Sequence, residues 1–343
     1  MLHASSSLGF RAAILACLLF MPTSIFAEVT AASERYEFLY KVDLNLPTGK
    51  NVVKLWLPHP AETQFQKVNH VDVDSPFSWQ RNHERKFGNQ ILYFEGTTQT
   101  SPLTFRVKYD VTRFYETTHK WNPKDASSSW SKPDLFLGED RLVPMIPLFR
   151  KISRQITQSP MSEEGKIRAL FEYVVKSMRY DKTGAGWGNG DAVWACKNKR
   201  GNCTDFHSLF IGLSRSLGIP ARFVVGVPIQ AGVSEGSIPG YHCWAHAFSK
   251  LSGWVPVDAS EAKKNDSIDP YFGQLPPDRI EFSQGRDIQL APKQRGVALN
   301  YFIYPYAEVN GKKLETVSKE LSFRRISPAL AGQTTAAVSR PIQ

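Results

Sequence analysis

The chain has 343 residues, 42% of them hydrophobic and 22% charged, a composition that excludes a largely disordered protein. Forty-two Lys and Arg against 32 Asp and Glu give a formal charge of +10. The surplus is scattered, which argues against a nucleic-acid arm and leaves a diffuse basic surface suited to acidic partners such as a cell-envelope polymer. Four cysteines are too few for a disulfide-built scaffold, and no apolar run reaches the roughly 18 residues of a membrane span.

Arg11 precedes the apolar stretch A-A-I-L-A-C-L-L-F-M over 12–21, and small residues end at Ala27. These are the parts of a secretory signal peptide, so 1–27 is expected to be removed after Ala27 and the protein to be periplasmic or secreted. Disulfides are permitted there. The remaining Cys196, Cys203 and Cys243 are odd in number, so at least one stays unpaired within the chain.

From 35 to 46 the apolar residues, Leu39 apart, fall on even positions, Tyr36, Phe38, Tyr40, Val42, Leu44 and Leu46, with charged residues between most of them. Period two predicts a half-buried strand, and P-T-G-K at 47–50 reads as a turn to a hairpin partner over 51–58. The segments 90–95 and 104–111 repeat the pattern. Residues 28–115 are therefore expected to form an antiparallel β domain, a sandwich, with no clustering of ionisable groups.

Residues 116–161 read as a linker with short helical pieces. A helix follows, with Ser162 as N-cap and Ile167, Leu170, Phe171, Val174, Val175 and Met178 as its apolar stripe. The glycine-rich loop 181–191 matches neither a phosphate-binding loop nor a calcium loop. Candidate strands at 279–282, 286–290 and 300–309 belong to a β extension over 263–326 that either lengthens the next domain's sheet or forms a lobe beside it. The tail 327–343 reads as disordered.

The segment K-R-G-N-C-T-D-F-H-S-L-F-I-G-L-S-R-S-L-G-I-P-A-R at 199–222 carries the chemistry. Helical spacing of Phe206, Leu209, Phe210, Leu213 and Leu217, with Asn202 as N-cap, places Cys203 in the first turn of a helix. The helix dipole and free amides there favour a thiolate and can hold an oxyanion. Asp205 is expected to bond local backbone, and His207 shares these first turns.

Two strands follow at 240–248 and 253–258. A three-residue loop from Ser249 to Leu251 would pair His246 with Trp254 and His242 with Asp258, giving a base and a residue to orient it. His246 lies roughly 13 Å along the strand from His242, too far to serve the same thiol, and reads as a rim or structural histidine. Trp187, Trp194 and Trp244 are candidates to wall a groove, with Trp244 and Trp194 the substrate-binding choices. Cys196 and Cys243 either pair or remain two buried thiols. A zinc site from the cysteines and His242 is disfavoured, because adjacent strand residues point to opposite faces. No metal or cofactor motif occurs.

The blocks R-G-N-C-T-D-F-H-S-L-F, G-I-P-A-R, H-C-W and G-W-V-P-V-D, in that order, closely resemble the core of the transglutaminase-like superfamily. The resemblance covers 162–262 and implies an α+β fold, an N-terminal antiparallel β domain followed by a papain-like core. There a helix bearing the Cys packs on an antiparallel sheet bearing His and Asp. It implies a Cys–His–Asp triad on Cys203, His242 and Asp258, acting on peptide or carboxamide bonds of a peptide or protein substrate. Where many relatives carry an acidic residue four after the His, this chain has His246. The rival expectation is a catalytically silent binding module or envelope adaptor on the same fold.

Overall fold

The alternation of apolar residues in the first half of the chain is realised as two facing sheets. The computed structural model describes residues 33–118 and 132–326. The expected signal peptide and tail, and 119–131 of the expected linker, lie outside the described residues. The strands are β1 (Ser33–Leu44), β2 (Asn51–Pro58), β3 (Gln66–Asp74), β4 (Trp79–His83), β5 (Gln90–Thr98), β6 (Leu103–Phe114) and β7 (Glu116–Thr117). In β1 the residues Tyr36, Phe38, Tyr40, Val42 and Leu44 are all buried. β6 pairs with β1 antiparallel, so that Tyr109 faces Phe38 and Phe105 faces Val42.

The hairpin expected across 47–50 does not form. β1 lies in one sheet and β2 in the other, where β2 pairs with β5. The turn carries the chain from one layer of the sandwich to the next. Turn chemistry determines that the chain reverses, whereas the partner of each strand is chosen by how whole faces pack.

The second half supplies α1 (Pro147–Ile156), α2 (Glu163–Ser177), β8 (Arg179–Tyr180), α3 (Ala192–Asn198), β9 (Arg200–Gly201) and α4 (Cys203–Ser216). Then come β10 (Ala221–Pro228), β11 (Glu235–Ser237), β12 (His242–Ser249), β13 (Gly253–Val257) and α5 (Ala259–Lys264). The chain closes with β14 (Gln274–Leu275), β15 (Arg279–Gln284), β16 (Tyr306–Val309), β17 (Lys312–Lys313) and β18 (Ser318–Arg325). α2 begins at the Ser162 cap, whose hydroxyl accepts from the Gly165 amide, and Ile167, Leu170, Phe171, Val174 and Val175 are buried.

α4 is the centre of this half. Every residue from Cys203 to Arg215 is buried, as expected of a helix walled on all sides. It packs on the antiparallel sheet β13-β12-β10-β15 and against α1, α2 and α3. Ser153 of α1 donates to the Leu213 carbonyl at 2.9 Å, fastening the two helices.

The β extension after α5 is shared out between the two halves. β15 pairs with β10 and lengthens the core sheet. β16 pairs with β2, and β18 pairs with β1, so the sandwich sheets run β11-β18-β1-β6-β3 and β17-β16-β2-β5-β4. Both sandwich sheets thus include strands from after residue 300. The fold is α+β with mostly antiparallel sheets, and no described helix is long and apolar enough to cross a membrane.

His59 ties stability to pH. It is fully buried, its ring edge-to-face with Tyr109 at 5.3 Å, and its Nδ1 lies 2.8 Å from the Pro60 carbonyl. Burial, against the Pro60 hydrogen bond, pushes its pKa down to about 4. The unfolded chain titrates near 6.5, so it binds more protons than the folded chain between the two values. Stability attributable to His59 is therefore full above about 6.5 and falls as pH drops toward 4. Urea unfolding at pH 7 and pH 4.5 should show a His59→Gln variant losing about 2–3 kcal/mol less than the native chain. Equal losses would remove His59 from the acid sensitivity.

Candidate active site

The nucleophile position is built from the start of α4. Asn202 caps the helix by accepting the Thr204 amide at 2.9 Å, and Asp205 accepts the Asn202 amide at 2.9 Å, completing a capping box. Asp205 also accepts the amides of Gly188 at 2.7 Å and Gly190 at 3.0 Å. The glycine-rich loop is thus laced to the helix terminus. Gly190 has φ +65°, and a Cβ there would sit 2.6 Å from Thr204 Cγ2 and 2.7 Å from Ser208 Oγ. Arg286 holds the same loop by donating to the Gly190 carbonyl at 2.7 Å and to Ser208 Oγ at 2.6 Å.

Cys203, only 4% exposed, is the first residue of this helix. His242 and Asp258 come from the sheet side. His242 opens β12 and Asp258 follows β13, and His242 Nε2 lies 2.6 Å from Asp258 Oδ2. With Nε2 committed to the carboxylate, Nδ1 is the nitrogen left for the thiol, and the Cys203 side chain hydrogen-bonds the imidazole.

The register that makes this contact differs from the expected one. β12 and β13 pair Ser249 with Gly253, Phe248 with Trp254 and His246 with Pro256, leaving 250–252 as the loop. Relative to expectation the strands are slipped by two residues. A two-residue slip preserves which side chains share a face, so His242 and Asp258 remain neighbours, now diagonal. Asp258 leaves the strand as N-cap of α5, and its carboxylate reaches back to the imidazole.

Asp258 is fully buried and multiply held. Oδ2 also accepts Arg279 Nη1 at 2.9 Å, while Oδ1 accepts Ser260 Oγ and the Glu261 amide, each at 3.0 Å. Burial alone would raise its pKa, but His242 and Arg279 hold it well below the usual carboxylate range. Burial likewise disfavours a charged His242, and the Asp258 carboxylate outweighs it, lifting the imidazole to about 10. For Cys203 the hydrogen bond with Cys243 acts most strongly, burial opposes it, and the bond and charge of His242 add to it. The thiol is held well below its ordinary value. Together these groups favour a thiolate–imidazolium pair.

His207 is a site residue whose part the sequence did not disclose. It is fully buried, with Nδ1 2.8 Å from the Cys203 carbonyl, and its Nε2 accepts the Ala259 amide at 3.0 Å. Those bonds fix a neutral Nδ1–H tautomer that joins the nucleophile's turn to the residue after Asp258. Its spacing of four from Cys203, one turn on the same face, was the available signal.

The other candidates are placed differently. Trp244 is fully buried under the Arg279 guanidinium, 5.2 Å from its ring, and has no surface to offer a substrate. Its periodicity put it on the right face but not at the right depth. Trp194 is half-buried, packed against Gly186 and beneath the Arg200 guanidinium. His246 is not on a rim. It is buried, accepts Arg222 Nε at its Nδ1 at 2.8 Å and pairs with Glu116 at 2.7 Å, beside the buried Arg113 and Glu281. Cys196, Cys203 and Cys243 are all free and buried, so Cys196 and Cys243 do not pair.

A metal could in principle be sought at His242, Asp258 and Glu261, whose ligand atoms lie within 4.8 Å of one another. The donor set is already satisfied. Arg279 neutralises Asp258, Lys264 pairs with Glu261, and the 2.6 Å contact between His242 and Asp258 leaves no room for an ion between them.

Residues 150–259 match the family model of the transglutaminase-like superfamily. That segment is a transglutaminase-like core. A Haemophilus influenzae protein known only as uncharacterised is 25% identical over 338 residues, spanning 86% of this chain and 91% of its own length. YebA of Bacillus subtilis, also uncharacterised, is 24% identical over 257 residues, covering 68% of this chain and 32% of YebA, so the match spans about a third of that relative. Among solved structures, a "Putative Cysteine Protease" from Cytophaga hutchinsonii shares the fold at 16% identity and a TM-score of 0.54, over 86% of this chain and 99% of that one. The periplasmic domain of TgpA from Pseudomonas aeruginosa aligns at 14% identity and a TM-score of 0.34 over 68% of this chain.

The transglutaminase-like core begins within α1 and ends at Ala259. Arg279, which clamps Asp258, and Arg286, which clamps the glycine loop, both lie beyond it. The site is completed by the strand that follows the core.

Proposed function

We propose that this protein is an exported cysteine enzyme of acyl transfer, acting on peptide or carboxamide bonds through Cys203, His242 and Asp258. The observation that carries this reading is the 2.6 Å bond between His242 Nε2 and Asp258 Oδ2, which turns the other ring nitrogen toward a thiol at a helix N-terminus. In the reaction the Cys203 thiolate attacks the carbonyl carbon. The developing oxyanion is received by the Cys203 N–H at the start of α4, since the next amides of the turn are bonded to Asn202. His242 gives its Nδ1 proton to the leaving amine, and the C–N bond breaks to leave a thioester on Cys203. Water or an amine then attacks the thioester, with His242 taking its proton, to release an acid or a new amide. Asp258 keeps the imidazole in the required tautomer throughout and stabilises its charged form.

The test is intact-mass analysis after mixing with a panel of peptide amides and activated peptide esters. An acyl adduct on Cys203 is expected, released by hydroxylamine and absent from Cys203→Ala. Comparing release by water and by a primary amine then separates hydrolysis from transamidation. No adduct with any ester, in a folded protein whose thiol is reduced, would favour the silent binding module.

A further inference from the structure

Cys243 is a second thiol at the site, and nothing in acyl transfer uses it. It is fully buried on β12, with its sulfur 3.8 Å from Thr204 Oγ1 and 3.8 Å from His207 Nδ1. Those two residues both follow Cys203, one adjacent and one a turn along α4. The Cys243 thiol therefore sits beneath the first turn of α4, beside the residue that follows Cys203 and the one a turn further on, close enough for the two thiols to shift each other's ionisation. Strand alternation turns Cys243 off the face of His242 and onto α4, where its sulfur meets Thr204 and His207. Cys196 makes a useful contrast, since its sulfur on α3 has the Lys199 ammonium at 4.0 Å and neither cysteine beside it.

We propose that Cys203 and Cys243 form a hydroperoxide-responsive pair, in which oxidation at Cys203 is captured by Cys243 as a reversible intrachain disulfide. Cys203 retains slight exposure and Cys243 has none, so a small oxidant meets Cys203 first. The Cys203 thiolate attacks one peroxide oxygen. The O–O bond breaks, an S–O bond forms, and the sulfur loses two electrons to the departing hydroxide. The Cys243 sulfur then attacks the sulfenic acid, the S–O bond breaks, and the thiol proton leaves with the hydroxyl as water. The sum is two thiols and one hydroperoxide giving a disulfide and, for hydrogen peroxide, two waters. Closing the bond needs the two sulfurs to reach about 2.05 Å. Without a resolving thiol the sulfenic acid continues to the sulfinic acid, which thiol reductants do not reverse. Cys243 thus protects the nucleophile by masking it.

This inference rests on the thiolate character proposed for Cys203 but not on acyl transfer. The reduced full chain would be treated with hydrogen peroxide near pH 6, its remaining thiols alkylated, and the products mapped by peptide mass spectrometry. The native protein and Cys196→Ser should both yield a linked 203–243 peptide and recover free Cys203 on reduction. Cys243→Ser and Cys243→Ala should yield no link, and reducible Cys203 should fall at least tenfold as sulfinic acid accumulates. Equal over-oxidation of Cys203 with and without Cys243 would overturn the proposal, as would a Cys203 inert to peroxide. Alkylation without peroxide separates the two readings. Persistent low-pH alkylation with no link sinks the pair alone, and a Cys203 inert to both reagents sinks the enzyme reading too.

Discussion

Alkylation of Cys203 by iodoacetamide should persist at pH 5 in the native protein and fall at least tenfold in His242→Ala. The thiol is held well below its ordinary value by Cys243, against burial, and by His242, while His242 itself sits at about 10. Across the interval between those values the pair is charged, and the thiolate is available. Losing the imidazole removes its bond and charge but leaves that of Cys243, so the thiol rises toward the free range near 8.5, at whose limit only about one molecule in three thousand is ionised at pH 5. The more basic thiolate is a better nucleophile, which returns part of the loss and brings the expected factor down to some tenfold or more. The sign follows from the raised imidazole. Its interaction with Asp258 is fully present below about 6.5 and is lost as pH rises through about 10. A variant whose rate–pH profile overlays that of the native protein would mean that His242 does not activate Cys203.

Replacing Arg279 by methionine should cost about 3–5 kcal/mol of stability, because one partner of a fully buried ion pair is removed. Arg279 donates to Asp258 Oδ2 at 2.9 Å, both groups are buried, and its guanidinium also covers the Trp244 ring. The same change should weaken the site chemically. Asp258 loses one of the charges that offset its burial, so its pKa rises, and the His242 imidazolium loses support in turn. The stability contributed by an ionised Asp258 is present above the unfolded value near 3.9 and is lost as pH falls through the folded one. In Arg279→Met that loss begins at higher pH. Urea unfolding at pH 7 and at pH 4, alongside the alkylation profile, reads both effects, and Arg279→Lys should restore part of each. An unchanged urea midpoint with an unshifted profile would show that Asp258 needs no clamp.

Legibility of the site in the sequence depended on whether a residue's role was local. Cys203 was readable because the cap and the helix that place it are encoded within a few residues: Asn202 before it, Asp205 three after the cap, and an apolar stripe at helical spacing. The strand character of 35–46 was readable for the same reason, since side-chain alternation needs no partner to be recognised. His242 and Asp258 stood on one face under either register, because a slip of two residues leaves faces unchanged.

Tertiary structure alone decided the rest. Whether β2 pairs with β1 or crosses to the facing sheet depends on burying whole surfaces rather than on the turn between them. That Arg279 closes on Asp258 and Arg286 on Gly190 follows from β15 pairing with β10, more than fifty residues earlier in the chain. Pairings at that separation leave no period or spacing to read. Depth was equally hidden, since Trp244 lies on the expected face of its strand yet has β15 and its arginine over it. Local hydrogen bonding and periodicity are properties of neighbouring residues, and so belong to the sequence. The second partner of a buried charge, and what covers a side chain, are properties of the packed molecule.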